Sequence, residues 1–375
     1  MKYINRLLIV CGFLVLYSCS NKSRNVSYSL PDDINAATIT VDLKQNVEEK
    51  TIQDIALSME FLRLEESVEY PIGVIDELYV TERYIYILDK ERAKSLFIYD
   101  RDGKFVKAIN TLGQGPGEFV RPGYFDIQQR SGNIIILDRD MRKLLYYTPQ
   151  GDFISEIKLN AFANSFAVAE NNTIVLDKGN TVFDRINPHG DGTPNYIHII
   201  TESGEKITEL LPVPELVQEI TITPRNPLQK YADTLLFMPS LSNKIYGIHE
   251  NNIALKYQVD FGGLWPGESY FEKVKGQHPL QIAQGLVKDN YVAFLNYLES
   301  REALYFDFKY DSNQYSYYYN KGNGKSIMFY NNNKEITVPL AVTGNTFVSV
   351  AYRDNSNPAL IFYDVAWEKQ LPIKN

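Results

Sequence analysis

Short apolar runs separated by turn-forming residues recur along most of this chain, and a helical period is nearly absent outside Tyr270 to Leu286. The clearest runs superimpose. Arg83-Tyr84-Ile85-Tyr86-Ile87-Leu88-Asp89 lies over Gly132-Asn133-Ile134-Ile135-Ile136-Leu137-Asp138 at an offset of 49 residues. Each continues into another run (Ser95 to Tyr99; Leu144 to Thr148), a turn (Arg101-Asp102-Gly103-Lys104; Pro149-Gln150-Gly151-Asp152) and a last run (Phe105 to Ile109; Phe153 to Leu159). Runs this short and this rich in β-branched and aromatic residues predict strands. Four strands repeated at roughly 40 to 50 residues predict the blade of a β-propeller.

A third copy begins at Asn172-Thr173-Ile174-Val175-Leu176-Asp177 and resumes at Tyr196 to Thr201, with Ser203-Gly204-Glu205-Lys206 as its turn. Fainter copies follow. The fourth uses Thr234 to Met238, Lys244 to His249 and Ile253 to Phe261; the fifth uses Tyr291 to Asn296, Ala303 to Lys309 and Tyr315 to Tyr319. The sixth uses Ser326 to Tyr330 or Ile336 to Leu340, then Thr346 to Ala351 and Ala359 to Tyr363, and lacks an outer strand. Met59 to Leu64 is a strand without a blade, so pairing it with the sixth copy closes the ring and removes exposed edges. The expected fold is all-β, a six-bladed propeller over residues 37–375 whose last blade an N-terminal strand completes.

Thr111-Leu112-Gly113-Gln114-Gly115-Pro116-Gly117-Glu118-Phe119-Val120-Arg121-Pro122 joins the first copy to the second. It is not a dinucleotide loop, because Glu118 stands where the fingerprint needs glycine and Pro122 leads into a strand rather than a helix. The segment resembles the blade junction of NHL-type propellers, where Gly-x-Gly-x-Gly-x-Phe precedes a proline and the next blade's first strand. Around it, the order of elements resembles a family of six-bladed propeller lipoproteins of Gram-negative bacteria, most of them of unknown function.

Lys2 and Arg6 precede an apolar run from Leu7 to Tyr17, the pattern of a secretion signal and too short to span a bilayer as a helix. It ends in Leu16-Tyr17-Ser18-Cys19, which resembles a lipobox and implies a signal peptide over 1–18, lipid attachment at Cys19 and a tether over 19–36. Cys11 is the only other cysteine and would be discarded with the signal, so no internal disulfide is expected. Removing Lys2 and Arg6 leaves 36 basic against 46 acidic residues and moves the formal charge from -8 to -10, which argues against nucleic acid as a partner. A cell-envelope location follows, with sorting to the outer membrane on its periplasmic side implied by resemblance, the membrane met through the anchor only and the protein expected as a monomer.

Strand direction alternates within a blade, so blade-to-blade loops and the loops between second and third strands emerge on one face. The long loops are of these kinds: Lys178 to Asn195, Pro214 to Ala232, Gly262 to Gly285 and the glycine stretch. They carry the candidate ligand-binding residues Glu118, Arg121, Arg185, His189, Asp191, Arg225, Trp265, Glu268, Tyr270 and His278. Aromatic rings there would stack on a sugar face or a peptide side chain, and arginines would grip carboxylates. The plainer readings are that the glycines serve turn geometry, that Glu118 and Arg121 pair between blades, and that Asp89, Asp138 and Asp177 bond turn amides rather than a metal. Tyr315, Tyr317 and Tyr319 would share one strand face and Tyr318 the other, packing between blades.

Catalytic signatures are missing: no two of the four histidines share a metal-ligand spacing, and there is no nucleophile elbow. The expected function is therefore a binding or scaffolding module for a glycan, a peptide or an envelope protein, with no cofactor. The alternative is a hydrolase or lyase at the channel mouth, using Glu118, Asp191 or Glu268 as acid or base, with a divalent cation left open.

Overall fold

The computed structural model describes residues 36–45, 47–180, 194–218, 220, 222–332, 335–352 and 357–368. They form six sheets in a six-bladed propeller. Ile85 and Ile87 pack with Leu340, Val348 and Leu360 of the last blade, while Tyr86 and Leu88 pack with Phe125, Ile136 and Leu145 of the second. The period of two thus gives each middle strand two buried faces, one in each seam. All six neighbouring pairs of blades share such a cluster. Tyr315 and Tyr317 enter the seam between blades four and five, and Tyr318 the seam between five and six, as alternation requires.

Closure follows from Ala56–Arg63, which pairs antiparallel with Ala359–Val365 and sets Met59 opposite Tyr363 and Leu62 opposite Leu360. This N-terminal strand is the outer strand of the sixth blade. Its far end is locked by a hairpin glycine of blade one. Gly103 has φ +79° and its carbonyl accepts the Glu65 N–H at 2.8 Å, while a Cβ there would come within 2.3 Å of the Arg63 carbonyl oxygen. The joint repeats at Gly204, φ +89°, whose Cβ would face the Lys158 carbonyl at the end of the previous blade's outer strand.

Three details differ from the pattern reading. The inner strand of blade four is Leu228–Tyr231, inside what reads as a loop, because its Gln229 and Lys230 face the axis and break the apolar signal. Ser326–Tyr330 is the outer strand of blade five, and the sixth blade's inner strand is only Ala341–Thr343. Ala37–Thr40 adds a parallel fifth strand outside blade four. The segment from Tyr270 to Leu286 holds two helices, Glu268–Val274 and Pro279–Lys288, packed over the seam between blades three and four through Tyr270, Phe271, Ile282 and Leu286.

Gly103→Ala is expected to lower the stability of the ring by about 1–3 kcal/mol, through a left-handed backbone and collision with the closing strand. Gly263→Ala, where a Cβ would meet nothing within 4 Å, is expected to stay within about 0.5 kcal/mol. Chemical denaturation of the two variants measures the difference.

Candidate functional site

Inner strands have no further strand on the axial side, so their free N–H groups must find other partners. The described residues supply them from the neighbouring blade. Glu77 accepts the Phe125 N–H at 3.2 Å, Asp126 the Val168 N–H at 2.7 Å, and Gln229 the Glu299 N–H at 2.7 Å. Lys230 then reaches across from blade four to Asp126 of blade two at 2.7 Å and donates to the Ile127 carbonyl at 2.6 Å. These groups surround an axial cavity of about 300 Å³.

On the long-loop face a second cavity of about 360 Å³ opens over blades one to three, and Tyr124 lines both. Its wall is made by Lys90, Arg139, Phe162, Asn164, Asp177 and Arg225, among others. Lys90 pairs with Glu77 at 2.5 Å and lies 5.3 Å from the centre of the Tyr124 ring. Arg225 crosses the axis, donating to the Pro339 carbonyl at 3.1 Å and pairing with Asp307 at 3.2 Å, while Asn226 donates to the Leu340 carbonyl. Arg139 has no carboxylate within ion-pair distance among the described residues. It donates to Asn164 Oδ1 at 3.0 Å, with the Phe162 ring 5.4 Å away.

Burial governs the acids here. It pushes Glu77 up to about 7 even against the lowering pull of Lys90, and Asp177 up to about 6 despite bonds from the Gly179 N–H and the Ser165 hydroxyl. Burial, then the charge of Arg121, pulls the Arg139 guanidinium down from its ordinary value. Asp89 and Asp138 bond backbone amides of both adjoining loops: Asp89 takes Gly73, Val74 and Arg92, and Asp138 takes Val120, Asp140 and Met141.

Of the sequence candidates, Arg225 alone among the described ones lines the mouth cavity. Trp265 stacks on Phe261 and lines a small adjoining cleft that shares Thr223 and Pro224 with it. Glu118 folds back to accept the Gly115 N–H at 2.8 Å, and Gly117 beyond it packs on Phe153, so the glycine stretch lies against the outer strand of blade two. Arg121 forms an exposed pair with Glu91 at 2.7 Å. Tyr270 is buried and donates to the Ile282 carbonyl, Glu268 is exposed in a first helical turn, and His278 caps the next helix by accepting the Leu280 N–H. Arg185, His189, Asp191 and Cys19 lie outside the described residues.

Lys90 and Arg139 were missed because each is a single charge after a strand. A signal was present, since the repeated aspartate is followed by a cation in three successive copies: Asp89-Lys90, Asp138-Arg139 and Asp177-Lys178. Among the described residues no group of three His, Cys, Asp or Glu side chains is placed to hold a metal ion, and no helix is long and apolar enough to cross a membrane.

Residues 38–363 match the family described as a domain of unknown function, DUF4934. The chain belongs to that family. This DUF4934 propeller is similar in structure to a Bacteroides fragilis protein named as a candidate exported protein, with TM-score 0.75, 15% identity, and coverage of 88% of this chain and 100% of the other. It is also similar to a DUF4221 family member from Bacteroides vulgatus, with TM-score 0.56, 11% identity, and coverage of 83% and 97%. At such identities the likeness is one of fold.

The raised acids set a pH dependence for the DUF4934 ring. The folded state keeps protons that the unfolded chain has lost, so stability falls as pH rises from 4.5 to about 7 through Glu77 and from 3.8 to about 6 through Asp177. Glu77→Gln is expected to remove the first share, up to roughly 3 kcal/mol across that window. Denaturation midpoints of variant and parent over a pH series measure it.

Proposed function

We propose that this propeller is a lipid-anchored binding or scaffolding module of the cell envelope, with its ligand held at the long-loop mouth of the channel. The observation that carries this reading is the mouth cavity of about 360 Å³, ringed by cations and rings and sharing Tyr124 as a lining residue with the axial cavity. Such a concave, mixed lining at the axis of a closed fold is where a ligand finds most surface to bury. Of the acids that an enzymatic reading would use, Glu118 is engaged by its own loop and Glu268 lies exposed on a helix.

The envelope assignment is supported by the apolar leader from Leu7 to Tyr17 and by Cys19, in keeping with outer-membrane sorting on the periplasmic side. The export description of the Bacteroides fragilis protein agrees with it. Ala37–Thr40 runs parallel to the outer strand Asn252–Asp260 of blade four, whose end leads into a long-loop connection, so Ala37 starts at the short-loop face. The protein meets glycan, peptide or envelope protein as a monomer on this reading, and needs no cofactor to do so.

Thr223 is exposed and lines the mouth, so Thr223→Trp fills the entrance without touching a seam. Arrays of envelope glycans and peptides are expected to retain the parent protein and to lose at least about tenfold of that affinity with the variant, at unchanged denaturation midpoint. Equal retention of parent and variant, or none by the parent, would remove the mouth as the binding site.

A further inference from the structure

Polar groups that hold the ring together can be separated from those with nothing to do. Glu77, Asp126 and Gln229 satisfy inner-strand amides, Lys230 neutralises Asp126, Lys90 pairs with Glu77, and Arg225 pairs with Asp307. Arg139 and Asn164 are left over. Arg139 Nε and Asn164 Nδ2 are buried donors with no acceptor, and both residues line the mouth cavity. Among the described residues this half-buried guanidinium bonds a neutral amide and is attracted by Asp177 only from beyond ion-pair distance, so its charge is incompletely met.

We infer that the mouth binds a carboxylated saccharide, a hexuronate unit, with its carboxylate on Arg139. This rests on the binding reading above and names the ligand class of that site. The planar guanidinium fork matches a carboxylate, and bonds between two charged groups are the stronger kind. Phe162, 5.4 Å from the guanidinium and in the same wall, offers a ring face for the apolar side of a sugar. Asp177 and Ser165, bonded to each other, line the same cavity beside Asn164.

An acidic peptide fits less well. Extended peptides gain affinity by adding to a free strand edge, and the inner-strand edges at the axial cavity next to the mouth are already occupied, the Phe125 N–H by Glu77 and the Val168 N–H by Asp126. The cavity of about 360 Å³ is also the size for one or two sugar rings rather than a folded partner.

Calorimetric titration with oligogalacturonate, its methyl ester, a neutral oligosaccharide of equal length and a glutamate-rich peptide tests the inference. The free acid is expected to bind roughly 10- to 100-fold more tightly than the ester, and Arg139→Gln to abolish that preference, read as the ratio of acid to ester affinity. Arg139→Lys, which keeps the charge without the fork, is expected to fall between them and guards against a folding defect in the first variant. Equal affinity for acid, ester and neutral sugar would overturn carboxylate recognition and leave the binding module standing. Tighter binding of the peptide would overturn the saccharide assignment. Binding of none of these probes, while another ligand is retained at the mouth, would overturn this inference alone; loss of every ligand, with Thr223→Trp indistinguishable from the parent, would take the binding reading with it.

Discussion

A ring of blades has an unavoidable weak place at its centre, where six inner strands turn an unpaired edge toward the axis. Water alone cannot satisfy those edges without leaving them open to slippage, and adding strands would fill the channel. The described residues solve this by exchange: an acid or amide from one inner strand takes the amide of the next, from Glu77 to Phe125 and from Asp126 to Val168. The acids so placed are buried, which raises Glu77 and calls for Lys90 and Lys230 as counter-charges. Polarity along the axis is thus a requirement of closure before it is a sign of any ligand.

The same requirement explains the distribution of hydrophobic contact. Burial in six seams rather than one central core means that each middle strand must be apolar on both faces. Each blade is then stable only between two neighbours, and an open ring would expose two seams at once. Ala56–Arg63 prevents this by tying the first part of the chain to the last blade, and Gly103 lets the next hairpin close over its end without a side chain in the way. Between blades four and five a buried carboxylate, Glu299, gathers Lys256, Lys321, Tyr257 and Tyr297, so that seam is welded by charge as well as by apolar area.

How much of this could be read from the chain depends on which strand is asked. Second and third strands, such as Tyr84–Asp89 and Ile134–Asp138, are buried on both sides and so are written in continuous apolar residues. Their repeat gave the blade length, and the orphan strand near the N-terminus gave the closure. Leu228–Tyr231 and Ala341–Thr343 escaped because an inner strand is short and turns half its residues to a polar axis. The candidate residues were chosen by loop length, and loop length says which face a residue reaches but not whether it points to the axis. Glu118 and His278 show the gap: both sit on the chosen face, and both are used within their own loop or helix end.

Charge next to a repeated turn proved more informative than charge in a long loop. A residue that follows Asp89 or Asp138 is held at a fixed height and angle by the aspartate's bonds to the loop amides, so its side chain is delivered to the mouth by the fold itself. Lys90 spends its charge on Glu77. Arg139 occupies the equivalent place one blade on, but the inner strand behind it begins with Pro122 and Gly123 rather than an acid, and Gly123 has no side chain because the arginine stem fills that space, with a Cβ there only 2.2 Å from Arg139 Cδ. The glycine therefore makes room for a cation that no carboxylate among the described residues approaches within ion-pair distance, Asp177 acting on it only from farther off, and that incomplete match is the feature of the mouth that closure does not explain.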